Sequence, residues 1–598
     1  MKKILKSFAL LFISVLSVNA TAPDYSTVLH RRVNHQKYES TNYTLTNIFT
    51  FAGSNQENLS ITDEIIGRVK ELVKKHFYED KIPGLAAAVV NDRKILWSST
   101  LGYLDTPDSS PVDDETVFSI QSMTKSFTAL AVLTAVQDGL LDLDTPISKY
   151  LPDFKINSRY EENPERHITL RHLLSHRSGI VHEAPFGNNT DLRYDFKKHI
   201  ESIKDTWLQF PVGYCFSYSN AGIDLAGYIV EVASGKPYPQ YLSEKVLSPL
   251  GMKNSSADFE IIKSIKNRAV GHWRSPDPLP VEFSMIPAGG LYTSLCDMTK
   301  YLMFHINRGK LNGKRILRED LMNEFHSIQF SLPGQRIGYA LGLIRGDISN
   351  TYAVSHAGGG HGFFGWTGAY PELKIGVVLL TNSQQRNLTE DSFRMIIDEA
   401  IFRRYGPNPT PLPAKEEMTL LSNTDSRVMS VIGKYGPKSP EIYFENEELK
   451  ISIFGNSFPI EFFDDNGEMI GLFGDNLAVK FLPPLKDQKG AMMFYHRYYG
   501  NSNWNYYFFN ESPFDEPGPG KPEWDKYVGE YESVYHGRTI FKVNISLKNG
   551  YLYFGGQKMK EHLPGLFFTY DGYSVDFRND PPCVGHLKMK KIIQNNKE

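Results

Sequence analysis

The chain has 598 residues, of which 68 are acidic and 65 are lysine or arginine, so its formal net charge is −3. This balance, without any lysine- or arginine-rich run, argues against nucleic-acid binding, and we expect no nucleic-acid partner. Three cysteines, Cys215, Cys296 and Cys583, can form one disulfide at most, which excludes a small disulfide-stabilised fold. The length and an apolar fraction of 41% predict several domains with ordinary hydrophobic cores.

Residues 1–20 have the pattern of a secretory signal peptide. Lysines near the start precede an apolar stretch over 8–18, which is too short to span a bilayer, and we expect cleavage after Ala20. A buried N-terminal helix is the alternative interpretation. Because no later run reaches the length of a membrane span, we expect a secreted protein, periplasmic in a Gram-negative source, with no transmembrane anchor.

Asn-x-Ser/Thr sequons raise the question of glycosylation. They begin at Asn42, Asn58, Asn188, Asn254, Asn387, Asn510 and Asn544. In a secreted eukaryotic protein we expect glycans on several of them. An asparagine-rich chain also generates such sequons by chance, so a bacterial exported protein fits equally well.

Residues 21–59 are polar and weakly patterned and predict an N-terminal arm, whereas residues 60–405 predict one domain of mixed structure. The predicted elements of this domain are helices near 61–77 and 389–404 and strand pairs within 85–101 and 363–381. Strands at both ends, with mostly helical or irregular chain between them, imply one sheet closed by distant segments and a helical insertion.

Residues 406–413 are rich in proline and predict a stiff linker at a domain boundary. After this linker, alternating apolar residues and turn dipeptides such as Asn549-Gly550 predict an all-β domain, a barrel or a sandwich, over 414–598. A second proline- and glycine-rich stretch near 513–522 suggests that this domain has two halves. The short Gly-x-Tyr triplets that open the halves fit either a repeat or chance.

Ser122 stands at the start of an apolar stretch that predicts a buried helix, and Lys125 follows it by three residues. Residues three apart share a helix face, so the amine lies close to the hydroxyl. A lysine in a crowded apolar site has a lowered pKa and can take the proton of a serine nucleophile. The pair alone identifies little, because Ser-x-x-Lys occurs by chance in most chains of this length.

Two later motifs carry groups that fit the same chemistry. Tyr218-x-Asn220 supplies a phenol, a group whose pKa a neighbouring lysine cation can lower, and an amide that can bind both the lysine and a substrate carbonyl. In His356-x-Gly358-Gly359, glycines let the backbone approach a ligand and point N–H groups at an oxyanion. His356 can donate a hydrogen bond to a bound carboxylate or carbonyl.

Two other interpretations of this segment fail. The pattern Gly360-x-Gly362-x-x-Gly365 matches the dinucleotide-binding fingerprint, but a strand rather than a helix is predicted after it. His356 and His361 lack the HExxH context or the cysteine pair that would indicate a zinc site. We therefore expect no metal site here.

The three motifs in this order resemble the serine β-lactamase and penicillin-binding protein family, specifically its class C β-lactamase-related branch. Further segments that match the family in register are Asp142–Asp153, Ile168–Gly179, Pro249–Met252 and Pro287–Leu291. The resemblance covers roughly residues 60–405. It implies an α/β fold, a β-lactamase/transpeptidase-like antiparallel sheet flanked by helices with a helical subdomain. The all-β domain is similar to lipocalin-like domains often appended to this family.

The resemblance also implies a role for individual positions. Ser122 would be the nucleophile that forms an acyl-enzyme, and Lys125 and Tyr218 would share the general-base and general-acid work. Asn220 would orient the lysine and the substrate. The oxyanion hole would consist of the backbone N–H groups of Ser122 and Gly359. The chemistry needs no metal and no organic cofactor.

Departures from the family pattern bear on the activity. His356, which would bind substrate together with Gly358, stands where β-lactamases usually carry lysine, and this favours a peptidase or an esterase over β-lactam hydrolysis. Gln121 precedes the nucleophile where a small residue is common, and we expect it to narrow the pocket. His176 lies in a family landmark and is interpreted as structural.

The sequence therefore predicts a secreted serine hydrolase that acts on a small-molecule or peptide substrate, through a peptide, amide or ester bond. One alternative is a non-hydrolytic binding or assembly protein that kept the fold. Another is a β-lactam-binding protein that is acylated and stalls. The presence of Ser122, Lys125 and Tyr218 favours the enzyme. The natural substrate, the role of the C-terminal domain and the oligomeric state are not determined by the sequence.

Overall fold

The computed structural model describes much of the chain from residue 60 to residue 592. The ranges outside the description are 1–59, 188–193, 273–280, 331–336, 350, 385–389, 407–417, 436–439, 454–455, 466, 475–476, 484, 486–490, 497–499, 502–506, 509–517, 536–537, 570–572, 585–586 and 593–598. The predicted signal peptide, the predicted N-terminal arm and most of the predicted linker lie in these ranges. Within the described residues, no helix combines the length and the apolar character needed to cross a membrane.

The N-terminal region, residues 60–406, contains both helices and strands. Its α-helices are α1 (Ile61–Glu79), α2 (Thr124–Gln137), α3 (Leu170–Leu174), α4 (Phe196–Ser202), α5 (Asn220–Ser234), α6 (Tyr238–Leu242), α7 (Phe259–Ser264), α8 (Ile286–Gly289), α9 (Leu295–Ile306), α10 (Glu319–His326) and α11 (Glu390–Tyr405). Its strands are β1 (Gly84–Val90), β2 (Ile95–Gly102), β3 (Val117–Ser119), β4 (Tyr292–Ser294), β5 (Lys310–Leu311), β6 (Lys314–Arg315), β7 (Ile337–Tyr339), β8 (Ile344–Ile348), β9 (Thr351–Gly360), β10 (Phe363–Tyr370) and β11 (Ile375–Thr381).

A seven-stranded antiparallel sheet organises this region, in the order β2-β1-β11-β10-β9-β8-β7. The first strand of the chain lies beside the last, with Leu85 opposite Thr381. Every residue of β1 is buried, because its side chains alternate between two apolar layers. One layer contains helices α1 and α11, which pack against each other, and the other contains α9 and the helical insertion.

The helical insertion surrounds α2, which is buried from Thr124 to Ala135. A helix that is apolar on all sides has to be enclosed by other elements. Here α5, α8 and α10 pack against α2, and the turn that precedes α2 contacts strands β9 and β10 of the sheet. The predicted fold, an antiparallel sheet flanked by helices with a helical insertion, is confirmed.

The C-terminal region, residues 418–592, consists mainly of antiparallel strands. Apart from the short helix α12 (Ser426–Ser430), its elements are β12 (Thr419–Leu420), β13 (Gly433–Lys434), β14 (Glu441–Glu445), β15 (Glu448–Ile453), β16 (Asn456–Asp465), β17 (Glu468–Phe473), β18 (Leu477–Phe481), β19 (Ala491–His496), β20 (Gly500–Asn501), β21 (Tyr507–Phe508), β22 (Gly529–Tyr535), β23 (Arg538–Lys548), β24 (Tyr551–Phe554), β25 (Gln557–Leu563), β26 (Leu566–Thr569), β27 (Ser574–Asp576), β28 (Cys583–Val584), β29 (Leu587–Lys588) and β30 (Lys590–Lys591). The all-β prediction for this region is confirmed.

The C-terminal strands form two separate sheets, one from β12 to β21 and the other from β22 to β30. Each sheet encloses its own apolar cluster. The inner face of the second sheet is filled by large side chains such as Trp524, Phe554 and Phe567. Most of the predicted division near 513–522 lies outside the described residues.

Both halves of the C-terminal region contact the N-terminal region. The Tyr214 hydroxyl donates a hydrogen bond to the Pro483 carbonyl at 2.7 Å. The Trp207 ring packs edge-on against Phe568, with ring centroids 5.7 Å apart, and the Arg159 guanidinium lies 4.5 Å from the centre of the same Phe568 ring. Two of these contacting residues, Trp207 and Tyr214, lie shortly before Tyr218 in the sequence.

Candidate active site

Ser122 lies in a turn of 3-10 helix, Gln121–Met123, between β3 and α2. The preceding residue, Gln121, has a positive φ of 47°. Left-handed backbone favours glycine and costs other residues roughly 1–2 kcal/mol. The buried Gln121 side chain offsets part of this cost, because its Nε2 donates to Ser119 Oγ at 2.7 Å. The same side chain packs beside Gly360, where a Cβ atom would lie 2.7 Å from Gln121 Oε1.

Lys125 lies one turn after Ser122 and points at it. Its Nζ donates to Ser122 Oγ at 3.0 Å and to the Ala288 carbonyl at 2.8 Å. The side chain is completely buried, and burial lowers the pKa of Lys125 to about 7, although the charges of Asp224 and Glu183 partly oppose this. A large fraction of the amines is therefore neutral near pH 7 and able to accept the Ser122 proton.

Tyr218 also lies beside the Lys125 amine. Lys125 Nζ is 4.8 Å from the centre of the half-buried Tyr218 ring. The ring also packs on His176, with centroids 4.3 Å apart. The structure thus brings Ser122, Lys125 and Tyr218 together, as the order of the motifs predicts.

His176 fixes the backbone that carries Tyr218. Its Nδ1 accepts the Ser219 N–H at 3.0 Å, and its carbonyl accepts the Ser217 N–H at 2.8 Å. Burial, followed by the charge of Lys125, lowers the pKa of His176 well below its usual value. The imidazole is therefore neutral and its lone pair is bound to Ser219. A supporting role, rather than proton transfer with Ser122, fits this geometry.

Asn220 begins α5 and differs from its implied role. Its Nδ2 donates to Glu183 Oε1 at 2.7 Å, and no hydrogen bond to Lys125 is present among the described residues. Glu183 is itself buried, and burial raises the pKa of its carboxyl group. The sequence did not indicate this carboxyl group, because the loop that carries it has no helical or strand pattern.

His356 also differs from expectation. Its Nδ1 lies 2.5 Å from the Ala357 carbonyl, and its Nε2 lies 2.8 Å from the Tyr339 hydroxyl. Burial, followed by the charge of Lys125, lowers the pKa of His356 to about 3, so the ring is neutral. Both ring nitrogens are engaged within the chain, whereas the sequence suggested that His356 donates to a substrate.

Strand β9 passes directly beside the nucleophile. A Cβ atom on Gly358 would lie 2.0 Å from the Ile120 carbonyl oxygen and 3.1 Å from the Ser122 nitrogen. Only glycine allows this approach. At the next residue, Gly359, the nearest atom to an added Cβ would be 3.8 Å away, so the backbone opens there. This places the main chain of Gly358 next to the Ser122 nitrogen, and the role of the Ser122 and Gly359 N–H groups as an oxyanion hole stays a prediction.

Two further polar residues, Asp224 near Lys125 and His199 beside Asp224, were not identified from the sequence. Asp224 lies one turn after Asn220 on α5, and its Oδ1 accepts the Ala288 N–H at 2.8 Å. His199 Nε2 lies 3.0 Å from the other oxygen of Asp224. An acidic residue within an apolar helix was the available signal for Asp224, while nothing marked His199. Among the described residues, no group of three or more His, Cys, Asp or Glu side chains could hold a metal ion.

Comparison with known proteins identifies the family. The sequence model of the family described as Beta-lactamase matches residues 67–400, which is more than half of the chain. The chain belongs to the Beta-lactamase family. The resemblance stated from the three motifs is therefore confirmed, and the N-terminal region has the serine-hydrolase type of fold found in this family.

Individual relatives are distant. This Beta-lactamase family chain is 28% identical over 405 residues to "Beta-lactamase-like protein 2" of Dictyostelium discoideum, a match that covers 65% of the chain and 72% of that protein. It is 27% identical over 333 residues to "Protein flp" of Staphylococcus aureus (strain MW2), which covers 54% of the chain and 64% of flp. The chain thus spans slightly less than two thirds of the length of flp.

Two solved structures are similar to this Beta-lactamase family chain. The octameric penicillin-binding protein homologue from Pyrococcus abyssi matches with 24% identity and a TM-score of 0.49, over 74% of this chain and 100% of that one. The class C β-lactamase from Rhodobacter sphaeroides matches with 19% identity and a TM-score of 0.46, over 57% of this chain and 99% of that one.

Proposed function

We propose that this protein is a serine hydrolase in which Ser122 attacks the carbonyl carbon of an ester, amide or peptide. The observation that supports the proposal best is the 3.0 Å contact between Ser122 Oγ and the buried amine of Lys125, whose pKa is about 7. As the bond from Oγ to carbon forms, the Ser122 proton passes to Lys125 Nζ. A proton then returns to the leaving group, and we assign the phenol of Tyr218, whose ring centre lies 4.8 Å from Lys125 Nζ, to assist this transfer.

The second half of the reaction reverses the first. Water attacks the acyl group on Ser122, its proton is taken by the Lys125 and Tyr218 groups, and Ser122 leaves as the restored hydroxyl. The carbonyl oxygen of each tetrahedral intermediate would lie at the N–H groups of Ser122 and Gly359. The close passage of Gly358 beside Ser122 supports this arrangement.

The charge of the site favours substrates without a carboxylate near the scissile bond. His356 is neutral, and both of its ring nitrogens bind groups of the chain itself. A fixed cation, which would attract such a carboxylate, is therefore missing at this position. We infer an esterase or a peptidase that acts on uncharged acyl groups, rather than an enzyme that hydrolyses β-lactams, which carry a carboxylate.

Covalent labelling tests the proposal. Purified protein is treated with a fluorescent fluorophosphonate and, separately, with a fluorescent penicillin, beside the Ser122→Ala variant. We expect fluorophosphonate labelling of the wild type and a loss of at least about 10³-fold in the variant. Stable labelling by penicillin alone would favour the acylated and stalled alternative. If no serine-reactive probe labels the wild type, the hydrolase proposal is wrong and the non-hydrolytic alternative is favoured.

Replacing Tyr218 with phenylalanine should distinguish the role of its hydroxyl group from the role of its ring. The ring that packs on His176 is retained, so we expect the free energy of unfolding to change by less than about 1 kcal/mol. Loss of the phenol should lower kcat/KM for an activated ester by about 10²-fold, within the range of general acid–base catalysis. Steady-state kinetics and urea unfolding of the same preparation measure both quantities. A kcat/KM within twofold of wild type would remove Tyr218 from the mechanism.

We also propose that the protein acts outside the cytosol, since residues 1–20 have the pattern of a signal peptide. Expression of the full chain in an export-competent host, followed by N-terminal sequencing of the secreted product, tests this. A mature chain that begins after Ala20 supports export. Retention of an uncleaved chain in the cells contradicts it.

A further inference from the structure

A buried acid–base pair stands behind the contact that Lys125 makes with Ala288. Asp224 and His199 are both 0% exposed, and His199 Nε2 lies 3.0 Å from Asp224 Oδ2. Asp224 Oδ1 accepts the Ala288 N–H at 2.8 Å, and the Ala288 carbonyl accepts a hydrogen bond from Lys125 Nζ at 2.8 Å. With the 3.0 Å bond from Lys125 to Ser122, these contacts form one continuous series from His199 to the nucleophile.

The contacts of His199 determine where protons must lie. Its Nδ1 is 2.6 Å from the Phe186 carbonyl oxygen, which can only accept, so Nδ1 carries a proton. The Nε2 contact with Asp224 requires a second proton, shared between the ring and the carboxyl group. The pair therefore holds Asp224 in place and balances its charge within the protein interior.

A carboxylate at this place is costly unless its oxygens are occupied. Helix α5 packs against both α2 and α8, and the neighbours of Asp224 along the helix, Ile223 and Leu225, are fully buried. Burying an ion among apolar side chains costs several kcal/mol unless hydrogen bonds compensate for it. Asp224 bonds to the Ala288 N–H with one oxygen and to His199 with the other. The first bond holds the short helix α8, which presents its carbonyl group to Lys125, and the second holds the Asp224 side chain.

We propose that Asp224, held by His199, is a positioning residue that fixes the Ala288 carbonyl on Lys125 and also places a negative charge beside the amine that activates Ser122. This inference rests on the proposed hydrolase function. The sequence gap between Asp224 and Ala288 shows that the contact exists only in the folded domain. Substrate does not need to touch either member of the pair.

Other charged and titratable groups face this series of contacts. Asp224 is near Lys125 on α2, His199 on α4, the Tyr238 phenol on α6, and the buried Glu183. Around Lys125, the additional groups are His176, His356 and the Tyr218 ring. The charges of Asp224 and Glu183 raise the pKa of Lys125 against the effect of burial. Removing the charge of Asp224 must therefore lower that pKa further.

The test is the rate of fluorophosphonate labelling of Ser122 as a function of pH in the full chain. In Asp224→Asn, the side-chain oxygen can still accept the Ala288 N–H while the charge is lost. We expect the acidic midpoint of the labelling rate to move down by about one pH unit from a value near 7. The plateau rate should fall about tenfold, because a weaker base transfers the proton less well. In Asp224→Ala the plateau should fall by about 100-fold.

His199→Gln provides an independent variant with the opposite sign. It removes the cation beside Asp224, so the carboxylate acts more strongly on Lys125, and the midpoint should move up. Thr128→Val is the matched control. Thr128 Oγ1 donates to the Pro287 carbonyl at 2.6 Å, one residue before Ala288, so the variant loses a buried neutral hydrogen bond to the same short helix. We expect lower thermal stability for this control and an unchanged midpoint.

The outcomes are distinguishable. An unlabelled wild type refutes the hydrolase function and this inference with it. If the wild type is labelled but Asp224→Asn and His199→Gln have the same midpoint as the wild type, the inference alone is refuted. A difference of about 0.2 pH units is the limit of such a measurement. If Asp224→Asn does not fold, His199→Gln tests the proposal alone. An upward shift of its labelling midpoint supports the proposal, and a downward shift contradicts it. An equal shift in Thr128→Val would show that the effect is only structural and would also overturn the proposal.

Discussion

Replacing Lys125 with methionine is expected to give a folded, more stable and almost inactive protein. Methionine has a similar length and fills the same buried space without an amine. Fluorophosphonate labelling should fall by about 10³-fold, since general-base catalysis contributes roughly 10²–10⁴-fold. The wild-type labelling rate should rise with pH around a midpoint near 7, the pKa of Lys125, and the residual rate of the variant should lack that midpoint.

The difference in stability between the wild type and this variant should depend on pH. The pKa of Lys125 is about 7 in the folded chain and 10.5 as a free side chain, so between these values the unfolded chain binds more protons. Wild-type stability therefore rises with pH across this window, and below pH 7 the full cost of burying the charge remains. The advantage of the methionine variant should be largest below pH 7, at roughly 1–4 kcal/mol, and should shrink towards pH 10.

Urea unfolding at several pH values measures this difference. Lys74→Met on α1 is a suitable control, because Lys74 is exposed to solvent. The control should change neither the labelling rate nor the pH dependence of stability. If Lys125→Met were less stable than the wild type at pH 6, Lys125 would be a structural residue with a favourable charge, contrary to this account.

The second large effect is expected from Gly358→Ala. The added Cβ would lie 2.0 Å from the Ile120 carbonyl oxygen, so either β9 or the turn that carries Ser122 has to move. Because the Ile120 carbonyl oxygen is a backbone atom, rotation of a side chain cannot relieve the clash. We expect a loss of about 3 kcal/mol in the free energy of unfolding and at least about 100-fold slower labelling of Ser122.

The neighbouring glycine is the matched control for stability. At Gly359 an added Cβ meets its nearest neighbour, Gln384 Nε2, at 3.8 Å, which is an ordinary contact. Gly359→Ala should therefore change the free energy of unfolding by less than about 1 kcal/mol. Thermal and urea unfolding of both variants test the contrast. Equal stabilities would show that β9 does not approach the nucleophile as closely as the structure has it.

The sequence predicted those features that depend on local pattern. The helix predicted near 61–77 lies at Ile61–Glu79 in the structure, and the strands predicted within 363–381 lie close to β10 and β11. The antiparallel sheet closed by distant segments followed from strands at both ends of the domain. The order of the three motifs predicted that Ser122, Lys125 and Tyr218 lie together. The family that these motifs indicated is the one to which the chain belongs.

Features that depend on contacts between distant segments could not be predicted. Asn220 bonds to Glu183 rather than Lys125, because the loop that carries Glu183 folds back over the start of α5. The neutral state of His356 depends on its burial and on the charge of Lys125, and its Nε2 contact depends on Tyr339, which reaches it from β7. The pairing of Asp224 with His199 depends on how α4 packs beside α5. No spacing along the sequence encodes these three contacts.

The pairing of β1 with β11 has a consequence for how the chain is made. A ribosome releases β1 and the Ser122 turn long before it synthesises β11, which pairs with one edge of β1. Until then, the edge of β1 that later receives β11 is open, and pairing over such a separation is slow. Nascent chains stalled before residue 375 should therefore bind chaperones strongly and aggregate when released, whereas chains extended past residue 405 should resist proteolysis.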